Sequence, residues 1–275
     1  MKKITGLVLA ALMVTMIFTG CSGKSTVVKT GGSTSVEKVM TALIYQFQEN
    51  NKDITINYEM NGSGDGIKNT ISGQYEIGHS SRELKTDGTE DGLTATPYAI
   101  DGITIVVNKG NSIDNLTKDQ IKGIYTGQIT NWKDVGGKDA PITVVTREIG
   151  SGTRSAIADL VGLEKAGDSS TSIVANATVA NDTGSVQTTV SQNPNAIGYM
   201  SFSDVDTGIV NTVKYEGVAI STDTIYNDTY KLKRDFYLLT KKGVTLSSAA
   251  QSFVDFILSD AGQQIIKDNK LLPIK

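Results

Sequence analysis

The sequence predicts an α/β protein with mostly parallel sheets, large enough for two lobes that each bury a core. Short strand-like runs alternate with segments whose apolar residues recur at helical spacing, which is typical of strand–helix units. The chain has 275 residues, of which 39% are hydrophobic, and this is enough for two cores. Ligands of such proteins bind beyond the carboxyl ends of the strands, so the loops there are the first candidates for a site.

Up to residue 125 the pattern predicts three strands and two helices. Apolar residues at helical spacing from Val36 to Phe47 predict the first helix. The run AIDGITIVVN at 99–108 is the longest β-branched stretch, and it predicts a buried strand or a segment that crosses between lobes. The predicted elements in this part are a strand at 26–29, a helix at 36–49, a strand at 53–60, a turn at 61–66, a strand at 99–108 and a helix at 116–125.

The rest of the chain continues the alternation and ends in helices. The C-terminal segment 247–269 carries two helical patterns, separated near Gly262. Before it, the predicted elements are a strand at 142–146, a helix at 153–163, a helix at 186–191, a strand at 196–202 and a strand at 236–239.

The N-terminal segment predicts export of the protein and is not part of the fold. Two lysines precede an apolar stretch at 4–18, which is too short to span a bilayer comfortably. With Cys21 shortly after it, the segment resembles a bacterial lipoprotein signal, in which the cysteine is lipidated and becomes the mature N-terminus. We therefore expect a signal peptide at 1–20 and an anchor linker at 21–25, with the protein held at the extracytoplasmic face of the cell membrane. The alternative is an ordinary secretory signal with an incidental cysteine.

Charge and residue counts exclude several classes of function. A net charge of −3 and a pI near 5.3 give no basic face for nucleic acid. His79 is the only histidine, which excludes multi-histidine metal sites, and we interpret it as a local packing or hydrogen-bonding residue. Cys21 is the only cysteine, so the mature body has neither a disulfide nor a thiol nucleophile. No pair of carboxylates is placed for acid–base work, so the sequence favours binding over catalysis and implies no cofactor and no metal.

Four turns rich in glycine and hydroxyl residues indicate a site for a tetrahedral oxyanion. A helix N-terminus offers unpaired N–H groups and a partial positive charge, glycine allows close approach of the backbone, and hydroxyls add donors. A single such turn is usually only a helix cap. Four of them, one with an arginine that supplies charge and a planar fork of donors, favour a binding site. The turns are GGSTS (31–35), NGSGDG (61–66), GHSSR (78–82) and REIGSGT (147–153).

Seven motifs follow one another along the chain, and the set is more specific than any single motif. They are GGSTSV, NGSGDGIKN, IGHSSRELK, AIDGITIVVN, ITNWKDVGG, REIGSGTR and NAIGY. Over essentially the whole mature chain, the sequence resembles the phosphate-binding proteins of bacterial high-affinity phosphate ABC transporters, in the lipoprotein form typical of Gram-positive organisms. The resemblance implies a type II periplasmic-binding-protein fold, in which two lobes joined by two crossing segments hold one inorganic phosphate in their cleft. It also implies a membrane permease as partner, and we expect a monomer.

The resemblance also implies a set of phosphate ligands. Two of them lie in GGSTS, one in GSGDG, and the others in the arginine motif. They are Thr34, Ser35, Ser63, Arg147, Ser151, Gly152 and Thr153.

Two positions depart from the family. Ser81 aligns with the acidic residue that accepts a hydrogen bond from protonated phosphate, and Ile149 aligns with the acidic residue that steadies the arginine. Because sulfate has no proton near neutral pH, a carboxylate acceptor admits phosphate and repels sulfate. Our hypothesis is that either the Ser81 hydroxyl or a second acid, Asp101, sets this selectivity. The alternative for Asp101 is a hydrogen bond at a hinge, and for Arg82 we favour an ion pair over a contact with the ligand.

We place the first lobe at residues 26–100 plus 232–275 and the second lobe at residues 101–231.

Three other functions remain compatible with the sequence. The first is a binding protein for another oxyanion such as sulfate, molybdate or a phosphonate, the second is a secreted hydrolase of phosphate esters, and the third is a surface adhesion or signalling protein.

Overall fold

The computed structural model describes residues 25–163 and 173–274, and their strands form one mixed sheet of eleven strands with helices packed against it. The predicted signal peptide and Cys21 lie outside the described residues. The strands are β1 (Thr26–Gly32), β2 (Ile54–Met60), β3 (Ile77–Ser80), β4 (Leu93–Asn108), β5 (Asn115–Leu116), β6 (Thr143–Arg147), β7 (Thr178–Ala180), β8 (Ala196–Ser201), β9 (Val210–Tyr215), β10 (Lys233–Lys241) and β11 (Leu272–Pro273).

The helices lie between these strands and at the C-terminus. They are α1 (Glu37–Asn50), α2 (Ser63–Ser72), α3 (Lys118–Tyr125), α4 (Gly152–Val161), α5 (Thr183–Gln192), α6 (Thr222–Tyr226), α7 (Ser248–Leu258) and α8 (Asp260–Asp268). Among the described residues, no helix combines the length and the apolar character that crossing a membrane requires.

Strand β4 belongs to both halves of the sheet. Its first part pairs with β10, from Leu93 to Gly102, and its second part pairs with β8 and β9, from Ile103 to Asn108. We call β1, β2, β3, β10 and β11 with α1, α2, α7 and α8 the first lobe, and β5 to β9 with α3 to α6 the second lobe. The chain returns to the first lobe just before β10, where the Ile103 N–H donates to the carbonyl of Leu232 at 2.7 Å.

Each lobe has its own hydrophobic core, as the chain length predicts. In the first lobe the apolar face of α1 packs against the C-terminal helices, with the rings of Phe47 and Phe253 5.1 Å apart. In the second lobe the core surrounds Tyr125, Trp132 and Tyr199. The indole N–H of Trp132 donates to the carbonyl of Asn195 at 3.0 Å, so this large side chain is buried without an unpaired donor.

The predicted parallel character of the sheet is only partly right. The pairs β1–β2, β1–β3, β6–β7, β6–β8 and β5–β9 are parallel. Every antiparallel pairing among the described strands involves β4 or β10. The reason is connectivity, because β4 and β10 are the two strands at which the chain passes between the lobes, in opposite directions.

The predicted turn at 61–66 is wrong in its last four residues, because α2 begins at Ser63. Three glycines within five residues conceal the helix, because glycine disfavours helical structure. Gly66 is required here by packing. A Cβ at this position would lie 2.9 Å from the Cα of Gly32 and 2.8 Å from the carbonyl oxygen of His79, both backbone atoms of the first lobe.

We expect Gly66→Ala to lower the free energy of unfolding by about 1–2 kcal/mol, measured by urea denaturation. Alanine gains about 1 kcal/mol of helix propensity, but overpacking against fixed backbone costs about 2–3 kcal/mol, the upper part of the usual range. The matched control is Gly92→Ala, since a Cβ there has nothing within 4 Å. Equal stability of the two variants would contradict the close approach of α2 to β1.

Candidate functional site

All the residues that the sequence predicts as phosphate ligands meet where the two lobes face each other. They follow the carboxyl ends of strands or open helices, and each is buried. From the first lobe come Thr34 and Ser35 after β1, Ser63 at the start of α2, and Ser81 after β3; from the second come Arg147 at the end of β6 and Ser151, Gly152 and Thr153 at the start of α4.

Arg147 is the centre of this site. Its side chain is only 2% exposed. Its Nη2 donates to Thr34 Oγ1 of the first lobe at 3.0 Å, and its Nη1 donates to Thr183 Oγ1 of the second lobe at 3.2 Å. A buried guanidinium must have its charge and donors compensated. Arg147 therefore forms hydrogen bonds with residues of both lobes.

Glu148 provides the counter-charge. Its two carboxylate oxygens accept from Nε and Nη2 of Arg147, both at 2.8 Å, in a bidentate pair. The resemblance predicts that the steadying acid of the family corresponds to Ile149, whose side chain is exposed. The neighbouring Glu148 pairs with the arginine instead. Its position directly after Arg147 in the sequence is the signal that could have identified it.

Hydroxyl groups form a second layer of contacts across the lobes. Ser35 Oγ lies 2.7 Å from Thr153 Oγ1, which joins the turn after β1 to the first turn of α4. Thr183 Oγ1 lies 3.3 Å from both Thr34 Oγ1 and Ser35 Oγ. Sequence reasoning missed Thr183, because the predicted helix began only at Val186.

Three serines of the first lobe lie under the start of α4. Ser33 donates to Ser81 Oγ at 3.0 Å, and Ser63 Oγ lies 3.2 Å from Ser81 Oγ while accepting from the Ser81 N–H at 3.1 Å. A Cβ on Gly152 would overlap the hydroxyls of Ser63 and Ser81. Glycine is therefore needed for the helix end to approach them. Ser151 also caps α4, accepting from the Arg154 N–H at 3.2 Å.

Asp101 lies behind the serines and is bonded at both carboxylate oxygens. Ser201 donates to Oδ1 at 2.8 Å, while Arg234 donates to Oδ2 from Nη2 at 3.0 Å and from Nε at 3.2 Å. Arg234 also donates to the carbonyl of Ser81 at 3.2 Å, so Asp101 reaches the site through the arginine. Burial raises the pKa of the Asp101 carboxyl to about 6, although the positive charge of Arg234 acts to lower it.

Two other residues of the predicted turns have structural partners. Arg82 forms a bidentate pair with Glu90, with distances of 2.6 and 2.9 Å, in the first lobe. His79 is buried, and its Nε2 lies 2.8 Å from Thr30 Oγ1. Burial lowers the pKa of His79 to about 3, so the ring is neutral. These contacts agree with an ion pair for Arg82 and a packing role for His79.

A cleft of about 350 Å³ opens beside Arg147. Its lining includes Thr34 and Thr183, together with Lys38 and Asp204. Burial raises the pKa of the Asp204 carboxyl to about 8, and the nearby Asp101 adds to this effect. Within the described ranges, no group of three or more His, Cys, Asp or Glu side chains could hold a metal ion.

The chain is similar to several known proteins. A family model described as a PBP superfamily domain matches residues 20–261. The Phosphate-binding protein PstS of Borreliella burgdorferi is 29% identical over the full length of both chains. A putative phosphate ABC transporter substrate-binding protein from Clostridium perfringens, solved with bound phosphate, is 42% identical with a TM-score of 0.85, covering 91% of this chain and 100% of that one. An ABC-type phosphate transport receptor from Vibrio cholerae is 33% identical with a TM-score of 0.74, covering 89% and 99%.

The pair of Arg147 with Glu148 leads to a test of stability. In anion-free buffer, we expect Glu148→Gln to lower the free energy of unfolding by about 1–2 kcal/mol, because the buried guanidinium loses its counter-charge while Glu148 itself is partly exposed. The measurement is urea denaturation.

The control for this test is Asp114→Asn, which removes an exposed partner of Lys214 and should change stability by less than about 0.5 kcal/mol. If Glu148→Gln behaves like this control, Glu148 does not compensate the buried charge.

Proposed function

The chain belongs to the PBP superfamily and, within it, to the Pst-type phosphate-binding proteins, and on this premise we propose that it captures inorganic phosphate and delivers it to the membrane permease of an ABC transporter. The observation that carries the proposal is the buried Arg147, which is bonded to both lobes and surrounded by hydroxyls and helix starts. Such a set of donors matches the oxygens of a tetrahedral anion. The phosphate bound in the Clostridium perfringens relative supports the choice of ligand.

Phosphate would bind between the lobes. The proposed ligands are Thr34, Ser35, Ser63, Ser81, Arg147, Ser151, Gly152 and Thr153. Residues 26–100 plus 232–275 would move against residues 101–231 about the two crossing segments, and closure would surround the anion and present a closed surface to the permease. The hydroxyl pair of Ser35 and Thr153 supports this closure, since it bridges the two lobes at 2.7 Å.

Recognition of the phosphate proton would rest on Ser81 or Asp101. A serine hydroxyl can accept the proton of phosphate while donating its own elsewhere, and Ser81 lies among the other proposed ligands. Asp101 would act through Arg234, which bonds both its carboxylate and the Ser81 carbonyl.

The cellular setting follows from the N-terminal sequence. We propose that residues 1–20 are removed as a signal peptide and that Cys21 carries a lipid, with 21–25 as a short linker. The protein would then act as a monomer at the extracytoplasmic face of the membrane, without a cofactor and without enzymatic activity.

The central test is isothermal titration of the soluble form that starts after Cys21, with phosphate and with sulfate from pH 5 to 9. We expect one phosphate per chain, little response to sulfate, and a loss of phosphate affinity of about a hundredfold or more in Arg147→Ala, because the charged donor at the centre of the site is removed. Lys214→Ala, on the surface of the second lobe, is the control and should bind as the unmodified chain does. Equal binding of both anions would favour another oxyanion as the ligand, and binding of neither would refute the proposal.

Asp101→Asn separates the two candidates for proton recognition. With a pKa raised to about 6, Asp101 is a carboxylate above that pH and neutral below it. If Asp101 sets selectivity, the preference for phosphate over sulfate should rise from pH 5 to 7 in the unmodified chain, and Asp101→Asn should lose this rise. Because phosphate itself titrates in this range, the two proteins are compared at each pH. A variant that keeps affinity and selectivity would leave the role to Ser81, for which Ser81→Ala is the matched variant.

A further inference from the structure

We propose that Thr183 is a further ligand of the captured anion and that α5 is a helix whose first turn faces it. This inference rests on the proposed function, and neither the family pattern nor the sequence analysis assigns a role to Thr183. Its side chain lies in the site at the start of α5, where only 4% of the residue is exposed.

The position of Thr183 is fixed by the packing of α5. Val186 and Val190 of this helix belong to the core on one face of the second-lobe sheet. Gly198 of β8 lies directly beneath them, since a Cβ there would come within 2.8 Å of Val186 and 3.0 Å of Val190. The start of α5 is therefore held against the sheet, and its first side chain has little freedom to leave the site.

Thr183 Oγ1 contacts three of the proposed ligands from both lobes. Arg147 Nη1 donates to it at 3.2 Å, and the hydroxyls of Thr34 and Ser35 each lie 3.3 Å from it. The Thr183 hydroxyl therefore lies where Arg147, Thr34 and Ser35 meet.

The Thr183 hydroxyl still has one proton that it can donate in a hydrogen bond. Thr183 accepts from Arg147 and can still donate once. Both hydroxyl neighbours lie at 3.3 Å, which is long for an O–H···O bond, whose usual length is about 2.7–2.8 Å. An anionic phosphate oxygen is a stronger acceptor than either hydroxyl, so it would take this proton in a charge-assisted bond.

The residue before Thr183 directs its carboxylate to donors in α5. Asp182 caps α5, and its two carboxylate oxygens accept from the N–H and the hydroxyl of Ser185 at 2.7 and 2.6 Å. Both oxygens thus have donors within α5. Thr34 and Thr183 also line the cleft beside Arg147, so a bond from Thr183 would hold the anion on the side that faces this opening.

The test compares three variants by phosphate titration. Thr183→Val keeps the shape but removes the hydroxyl, and we expect it to weaken phosphate binding about tenfold to a hundredfold, as for loss of one hydrogen bond to a charged group. Thr183→Ser keeps the hydroxyl and should bind within about threefold of the unmodified chain. Thr188→Val, on the exposed side of the same helix, is the control for helix propensity and should not change affinity.

Thermal unfolding without phosphate and a crystal structure of the phosphate complex complete the test. Thr183→Val should unfold within a few degrees of Thr188→Val, and Thr183 Oγ1 should lie about 3 Å from a phosphate oxygen. The inference is overturned if the unmodified chain binds phosphate and Thr183→Val binds it equally well, or if the oxygen is more than about 4 Å away in the complex. If the unmodified chain does not bind phosphate at all, the proposed function fails first.

Discussion

The burial of one guanidinium at the junction of the lobes is the constraint on which the rest of the site depends. A cation removed from water is tolerated only when donors and charge are matched in good geometry. Here Glu148 matches the charge, while Thr34 and Thr183 take the remaining contacts from opposite sides. The turn after β1, the end of β6 and the start of α5 must therefore come together for Arg147 to be buried. One requirement thus positions three otherwise distant segments.

The strand that joins the lobes explains why these segments can meet. Because β4 is continuous through both halves, the carboxyl ends of β1 and β3 on one side and of β6 on the other face a common cleft. The second crossing runs beside it, and Asp101 on β4 pairs with Arg234 on β10 at that point. This buried pair lies directly behind Ser81, whose carbonyl Arg234 also bonds. Arg234 therefore connects the two crossing segments to the proposed site.

Much of the fold and most of the site could be predicted from the sequence, and the failures have physical causes. Helix α1 and strand β6 were located within one or two residues, because their apolar spacing is unambiguous. Helix α2 was taken for a turn, since the glycines that its packing needs are the residues that disfavour a helix. The turns that follow strands were predicted from local chemistry, whereas the individual ligands within them came from the resemblance to a known family. Thr183 and Arg234 were missed because their positions follow from tertiary packing, which no local pattern records.

The two buried arginines near the site are each paired with a carboxylate, and this bears on how an anion is bound. Arg147 is paired with Glu148, and Arg234 with Asp101, so each arginine already has a carboxylate at hydrogen-bonding distance. These two pairs therefore contribute little net positive charge. Oriented dipoles then contribute to the attraction, namely the hydroxyls and the N–H groups at the starts of α2 and α4. Dipoles fixed by the fold favour an anion whose oxygens match their directions, whereas net charge attracts any anion. A further carboxylate in place of Ser81 would add negative charge beside arginines whose positive charge is already matched. A hydroxyl at this position contributes a donor or an acceptor without adding charge.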